Sequence, residues 1–118
     1  MRMGEMVRRT GVSERLLRYY EEQGLLHPDR LPSGYRVYNE ADIDTVRRIR
    51  SLLAAGLSTT IIARILPCVC IDGPTLTPVC SDTITELRRE RERITHAINE
   101  LHASRSMLDT VIAAAPAT

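Results

Sequence analysis

Residues 67–80 read PCVCIDGPTLTPVC and contain every cysteine of the 118-residue chain: Cys68, Cys70 and Cys80. Three thiolates can hold a soft metal or metalloid ion in trigonal geometry, or zinc with a fourth ligand. His96 and His102 are candidate extra ligands. A histidine on a polar helix is usually only solvated, however, and neither is close to Cys80 along the chain. The same thiols can instead form a reversible disulfide, Cys68–Cys80 or Cys70–Cys80. Sulfurs at an i, i+2 spacing are poorly placed to bond each other. An iron–sulfur cluster normally takes four cysteines, one more than the chain supplies. The plainest alternative is that the thiols act as small apolar side chains. These alternatives stay open at the level of residue types.

A second set carries positive charge and aromatic rings. All sixteen basic residues are arginine, and residues 1–50 hold ten of them against eight acids. The chain has no Phe or Trp, and its four tyrosines (Tyr19, Tyr20, Tyr35 and Tyr38) all lie in the N-terminal third. Arg15, Arg18, Tyr19 and Glu22 recur at i, i+3, i+4, i+7 and share one helical face. Arginine can read guanine edges or clamp phosphates, and tyrosine can donate to phosphate. For Arg15 alone, a solvated helix face explains as much. For the set, together with Ser13 at the helix start and Tyr35, Arg36 and Tyr38 beyond it, DNA contact is the better explanation.

Elements must hold these residues in place. Met3, Met6 and Val7 predict a short first helix, broken at Gly11. Ser13 is a good N-cap for a second helix over roughly 13–22, with Leu16, Leu17 and Tyr20 facing the core and Gly24 as its stop. Two short helices across a glycine-containing turn make a helix-turn-helix. The stretch HPDRLPSGYRVY (27–38) reads as a small hairpin or wing. Asn39 with Asp42 predicts a capping box, then a helix buried through Ile43, Val46, Ile49 and Leu53 up to Gly56. Ser58 caps a fourth helix carrying Ile61, Ile62, Ile65 and Leu66, closed by Pro67. These elements give a DNA-binding domain over 1–66 and a cysteine-containing loop over 67–80. In that loop Cys68 and Cys70 face one way if the chain is extended. An Asp72-Gly73 turn would fold Cys80 back toward them.

From 81 to 113 apolar residues repeat in heptads: Ile84, Leu87, Ile94, Ile98, Leu101, Leu108 and Ile112, with Arg91 and Arg105 in the same seam. Such a helix is ~50 Å long at 1.5 Å per residue. Its stripe calls for a partner helix, most simply that of a second subunit. Residues 114–118 read as a flexible tail.

The stretch GEMVRRTGVSERLLRYYEEQGLLHPDRLPSGYRVYNEADI (4–43) resembles the N-terminal signature of the MerR family of bacterial transcriptional regulators. IRSLLAAGLSTTIIARIL (49–66) is similar to the family's next two helices, and the long helix resembles its antiparallel dimerisation helix. The resemblance implies a mainly α homodimer. Two winged helix-turn-helix heads would be joined by an antiparallel coiled coil. Such a dimer would bind promoter DNA and distort it for bacterial RNA polymerase. It also implies that Arg15, Arg18 and Tyr19 are recognition-helix contacts and Tyr35, Arg36 and Tyr38 wing contacts. Cys80 stands where the family's metal sensors carry a helix-start cysteine, twenty-one residues before Leu101 of INELHASRSML. Cys68 and Cys70 have no equivalent there, and the sensors' post-helix cysteine loop is missing. The chain stops after the long helix, which argues against a large organic-ligand domain.

Other classes are weaker. No paired carboxylates, glycine-rich phosphate loop or nucleophile with an evident base points to an enzyme. A pure coiled-coil adaptor leaves the Arg and Tyr face unexplained. A DNA-binding regulator or architectural protein with no small effector is the main rival to a sensor. No apolar run approaches the ~18 residues of a membrane span and no secretory signal opens the chain, so the cytoplasm is the expected location.

Overall fold

A computed structural model describes residues 1–117, the side chain of Asp72 excepted. The last residue of the expected 114–118 tail, Thr118, lies outside the described residues. The elements run α1 (Met3–Thr10), α2 (Glu14–Glu22), β1 (Asp29–Arg30), β2 (Arg36–Val37), α3 (Glu40–Ala54) and α4 (Thr59–Ile65). A 3-10 turn (Leu66–Cys68), β3 (Val69–Asp72), β4 (Thr75–Pro78) and α5 (Ser81–Ala113) follow. Residues Met1–Thr83 form one compact unit, the head, and α5 from Ile84 onward forms a second.

The α1–α2 turn depends on Gly11, whose φ of 71° lies in the left-handed region that glycine enters without a Cβ clash. Ser13 then starts α2, its hydroxyl accepting the Leu16 N–H at 3.2 Å. Asn39 and Asp42 form the expected reciprocal capping box at α3, with bonds of 3.1 and 2.9 Å. Ser58 caps α4 in the same way as Ser13 caps α2.

With no Phe or Trp, the head's core is aliphatic side chains plus two tyrosines. Met6, Leu17, Tyr20, Leu25, Leu26, Tyr38, Val46, Ile49, Ile62 and Ile65 are all buried. Three expectations shift by a residue or a face. Leu16 is 45 % exposed, so Leu17 and Tyr20 alone turn the α2 core face inward. On α3, Leu52 rather than Leu53 joins Val46 and Ile49. That helix packs on α1, α4 and β3, so its buried stripe is wider than a single-neighbour pattern suggests. Tyr38, expected on the wing surface, is 2 % exposed. Its backbone N–H donates to the Met1 carbonyl at 2.7 Å, and the Met1 amine donates to the Tyr38 carbonyl at 2.6 Å. This pairing fixes the backbone at Tyr38, whose ring lies in the core.

The stretch expected as a cysteine loop is an ordered antiparallel hairpin. Val69 pairs with Pro78, Cys70 with Thr77, Ile71 with Leu76 and Asp72 with Thr75. Gly73, at φ 61°, begins its two-residue turn. Pro74 cannot take a positive φ, so the turn is of the II′ kind, which puts glycine first.

The second unit is a single helical element. α5 has 33 residues and spans ~50 Å. Of its heptad seam, Ile84, Leu87 and Ile94 are half-buried, whereas Ile98, Leu101, Leu108 and Ile112 are exposed, Leu101 by 70 %. Met107 and Val111 extend this exposed apolar surface. Among the described residues no helix is long and apolar enough to cross a membrane.

Candidate nucleic-acid interface and cysteine hairpin

α2 presents Arg15, Arg18 and Tyr19 to solvent, where with Glu14 and Glu22 they line one shallow surface groove. The three differ in how free they are. Arg15 makes no ion pair among the described residues. Arg18 is held by Glu14 one turn back at 2.5 Å. An exposed pair of this kind is worth at most about 1 kcal/mol, so Arg18 can exchange its partner for a phosphate. Ser13 is exposed, but its hydroxyl is committed to the helix cap.

The wing is two residues wide on each strand, with Asp29 opposite Val37 and Arg30 opposite Arg36. It is fixed to α2 through Glu21, a residue the sequence pattern did not single out. The Glu21 carboxylate accepts from Arg36 Nε and from Arg30 Nη2, each at 2.7 Å. Burial alone would raise the Glu21 carboxyl, but the Arg36 and Arg30 hydrogen bonds outweigh it and hold it below the ordinary value. The same bond to Glu21 raises Arg36. Arg36 is therefore half-buried and neutralised, and its first role in this structure is to anchor the wing. Tyr38 is buried; its hydroxyl lies 3.7 Å from Met3 Sδ, and burial raises its phenol. Of the three expected wing residues Tyr35 is the exposed one, by 62 %, with the Arg2 guanidinium 4.9 Å from its ring centroid. Arg2 lies too far from the α2 pattern to be found by helical spacing.

The three cysteines are divided. Cys68 and Cys80 are joined in a disulfide with Cα atoms 5.5 Å apart, and Cys70 is an exposed free thiol. The bond closes the foot of the hairpin, where the Val79 N–H also donates to the Cys68 carbonyl at 2.8 Å. Between the cysteines Val69 is buried, and Arg48 of α3 donates to its carbonyl at 2.9 Å and to that of Leu66 at 3.0 Å. The hairpin is thus seated on the head by one apolar side chain and one guanidinium. Among the described residues no three His, Cys, Asp or Glu side chains are placed to hold a metal ion. Two of the three sulfurs are bonded to each other, and a disulfide sulfur is not a thiolate ligand. His96 pairs with Glu100 and His102 with Arg105, each on its own stretch of α5.

Two short helices, a capped exposed arginine face and a two-stranded wing define a winged helix-turn-helix protein. The particular family follows from comparison. Residues 1–67 match the MerR HTH family of regulatory proteins, and the chain belongs to that family. The heavy metal-dependent transcription regulator 2 of Rhizobium meliloti is 39 % identical over 67 residues, 56 % of this chain and 46 % of that protein. The mercuric resistance operon regulatory protein of Bacillus cereus is 33 % identical over 66 residues, 55 % of this chain and 50 % of that protein. The chain thus spans about half the length of these relatives. Among solved structures, the lead(II) complex of the regulator PbrR691 from Ralstonia metallidurans superposes with a TM-score of 0.83. It is 24 % identical, over all of this chain and 90 % of that one. HiNmlR, a MerR-family regulator without a sensor domain bound to promoter DNA, gives 0.58 at 22 % identity, over 95 % and 86 %. These last two likenesses show the fold.

Proposed function

We propose that the protein is a dimeric, sequence-specific DNA-binding transcription regulator that acts by distorting promoter DNA for RNA polymerase. The observation that carries this reading is the solvent-facing Arg15, Arg18 and Tyr19 set on α2 of a MerR-family head. Regulators of this family are its relatives, and one fold neighbour was solved on promoter DNA. The exposed seam of α5 supports a homodimer, since Ile98, Leu101, Leu108 and Ile112 on one long helix need a cover that a second copy supplies.

The test is selection of bound DNA from a random pool, followed by affinity measurements on the selected operator. Arg15→Ala should weaken operator binding by about 1–3 kcal/mol if Arg15 reads a base, with relaxed preference at one position. Arg18→Ala should weaken binding in a salt-dependent way. Full affinity in both variants would remove α2 from the interface. A monomer in sedimentation at micromolar concentration would sink the dimer.

For the signal, the Cys68–Cys80 bond favours thiol oxidation: two thiols lose two electrons and two protons to an oxidant, and a thiol reductant returns them. A second reading keeps a soft metal ion or zinc on the reduced Cys68, Cys70 and Cys80. It draws support from the heavy metal-dependent relative. Operator binding measured with reduced, oxidised and metal-treated protein separates the two. A response that survives replacement of all three cysteines by serine discards both, leaving a regulator with no effector at this hairpin.

A further inference from the structure

The geometry points to Arg2 as a DNA-backbone contact, held in place by the Tyr35 ring. This rests on the DNA-binding reading above and extends the interface to a residue outside both the recognition helix and the wing. Several cations near α2 and the wing are already neutralised. Arg18 is paired with Glu14, and Arg30 and Arg36 share Glu21. Arg2 has no carboxylate partner among the described residues, and its guanidinium donates no hydrogen bond there. The guanidinium stands over the Tyr35 ring, 4.9 Å from Cζ to centroid. A cation–π contact steadies a guanidinium without consuming its N–H donors, so the fork remains available to phosphate oxygens.

The backbone beneath Arg2 is also fixed. On one side Met1 is bonded to Tyr38 in both directions; on the other the Arg2 carbonyl accepts the Met6 N–H at 3.1 Å. Backbone held on both sides this way does not fray. Both the backbone and the side chain of Arg2 are therefore ordered before DNA arrives, which lowers the entropy lost on binding. Finally, position selects the ligand. Arg2, Tyr35 and Arg36 line a shallow depression with Glu14 and Arg18, and these last two also line the α2 groove with Arg15 and Tyr19. Arg2 thus flanks the base-reading face, where a duplex seated on α2 presents its phosphates.

The experiment uses the full chain with an untagged N-terminus and the selected operator, with Kd measured between 50 and 200 mM salt. Arg2→Gln should lower the slope of log affinity against log salt by about 0.9 per bound head. Over that range wild type should lose about 3.5-fold more affinity than the variant for each head engaged. Tyr35→Ala should lower the slope in the same direction, and Tyr35→Phe, which keeps the ring, should restore it. In an Arg2→Gln background Tyr35→Ala should add nothing, because Tyr35 acts through Arg2. An unchanged slope in Arg2→Gln overturns the proposal while leaving DNA binding intact. So does a Tyr35→Ala effect that adds in full to that of Arg2→Gln. A loss confined to operator, with unspecific DNA bound as before, makes Arg2 a base reader and overturns the backbone assignment. If wild type selects no DNA, the DNA-binding reading fails and this proposal fails with it.

Discussion

The head and the long helix use the same apolar residue types to opposite ends. In the head, Met6, Leu17, Ile49 and Ile62 are sealed from water by one another. On α5, Leu101, Leu108 and Ile112 stand in solvent. Helical periodicity reveals that a face exists but not what covers it. For the head the cover is supplied within the chain; for α5, on the dimeric reading proposed above, it is supplied by a second copy. The sharpest test is Leu17→Ala. Removing a fully buried leucine should cost about 2–5 kcal/mol, and the loss should not depend on protein concentration. The matching change on α5, Leu101→Ala, should leave unfolding of the head unchanged and shift the monomer–dimer equilibrium instead. Urea unfolding at two concentrations and sedimentation read both. A Leu101→Ala loss in the head, equal to that of Leu17→Ala, would break the distinction.

The disulfide sharpens the comparison from the other side. Both Cys68 and Cys80 belong to the head unit, and their bond closes a loop with a sequence separation of 12. A loop of this size should contribute about 3 kcal/mol through the entropy it removes from the unfolded chain. Reduction should therefore lower the urea midpoint of the head and leave the sedimentation of the dimer unchanged. Arg48 and Val69 keep β3 seated in either state, so hydrogen exchange should quicken most at β4. Equal midpoints with and without reductant would mean that the hairpin stands without its bond.

Most of the scaffold could be read from the residues because it is locally specified. Ser13, Asn39 and Ser58 each announce a helix start, and the heptads of 81–113 coincide with α5. Spacing along the chain is silent where a distant partner decides. The Tyr38 backbone pairs with Met1, thirty-seven residues away, and the Arg36 guanidinium with Glu21, fifteen residues away. Glu21 looks like one more solvated acid on α2, and nothing in its spacing shows that two wing arginines converge on it. Arg2 escaped for the same reason, since its ring partner lies across the wing. In the hairpin the sequence left Cys68–Cys80 and Cys70–Cys80 open. The strand register decides between them, because it turns Cys70 outward opposite Thr77 and brings the foot of β3 to the foot of β4.

Charge pairs show the same contrast on a smaller scale. Glu21 is largely covered and grips two arginines, whereas the His96–Glu100 and Glu90–Arg93 pairs of α5 join neighbours a turn apart on one helix. Acid should therefore act on the head through Glu21. Its folded-state pKa is lowered, because the Arg36 and Arg30 hydrogen bonds outweigh burial. The unfolded chain then binds more protons than the folded one between the two values. The stabilisation is complete above the ordinary glutamate range near about 4.3 and is lost as pH falls through the lowered folded value. Glu21→Gln should cost about 1.5–3 kcal/mol at neutral pH, the scale of a hydrogen bond to a charged group. More tellingly, it should flatten the fall in head stability below about pH 4.3, which urea midpoints across an acid series would show. A Glu21→Gln curve parallel to wild type at every pH would mean that the wing is held by its backbone ladder alone and that Arg36 is free to leave α2.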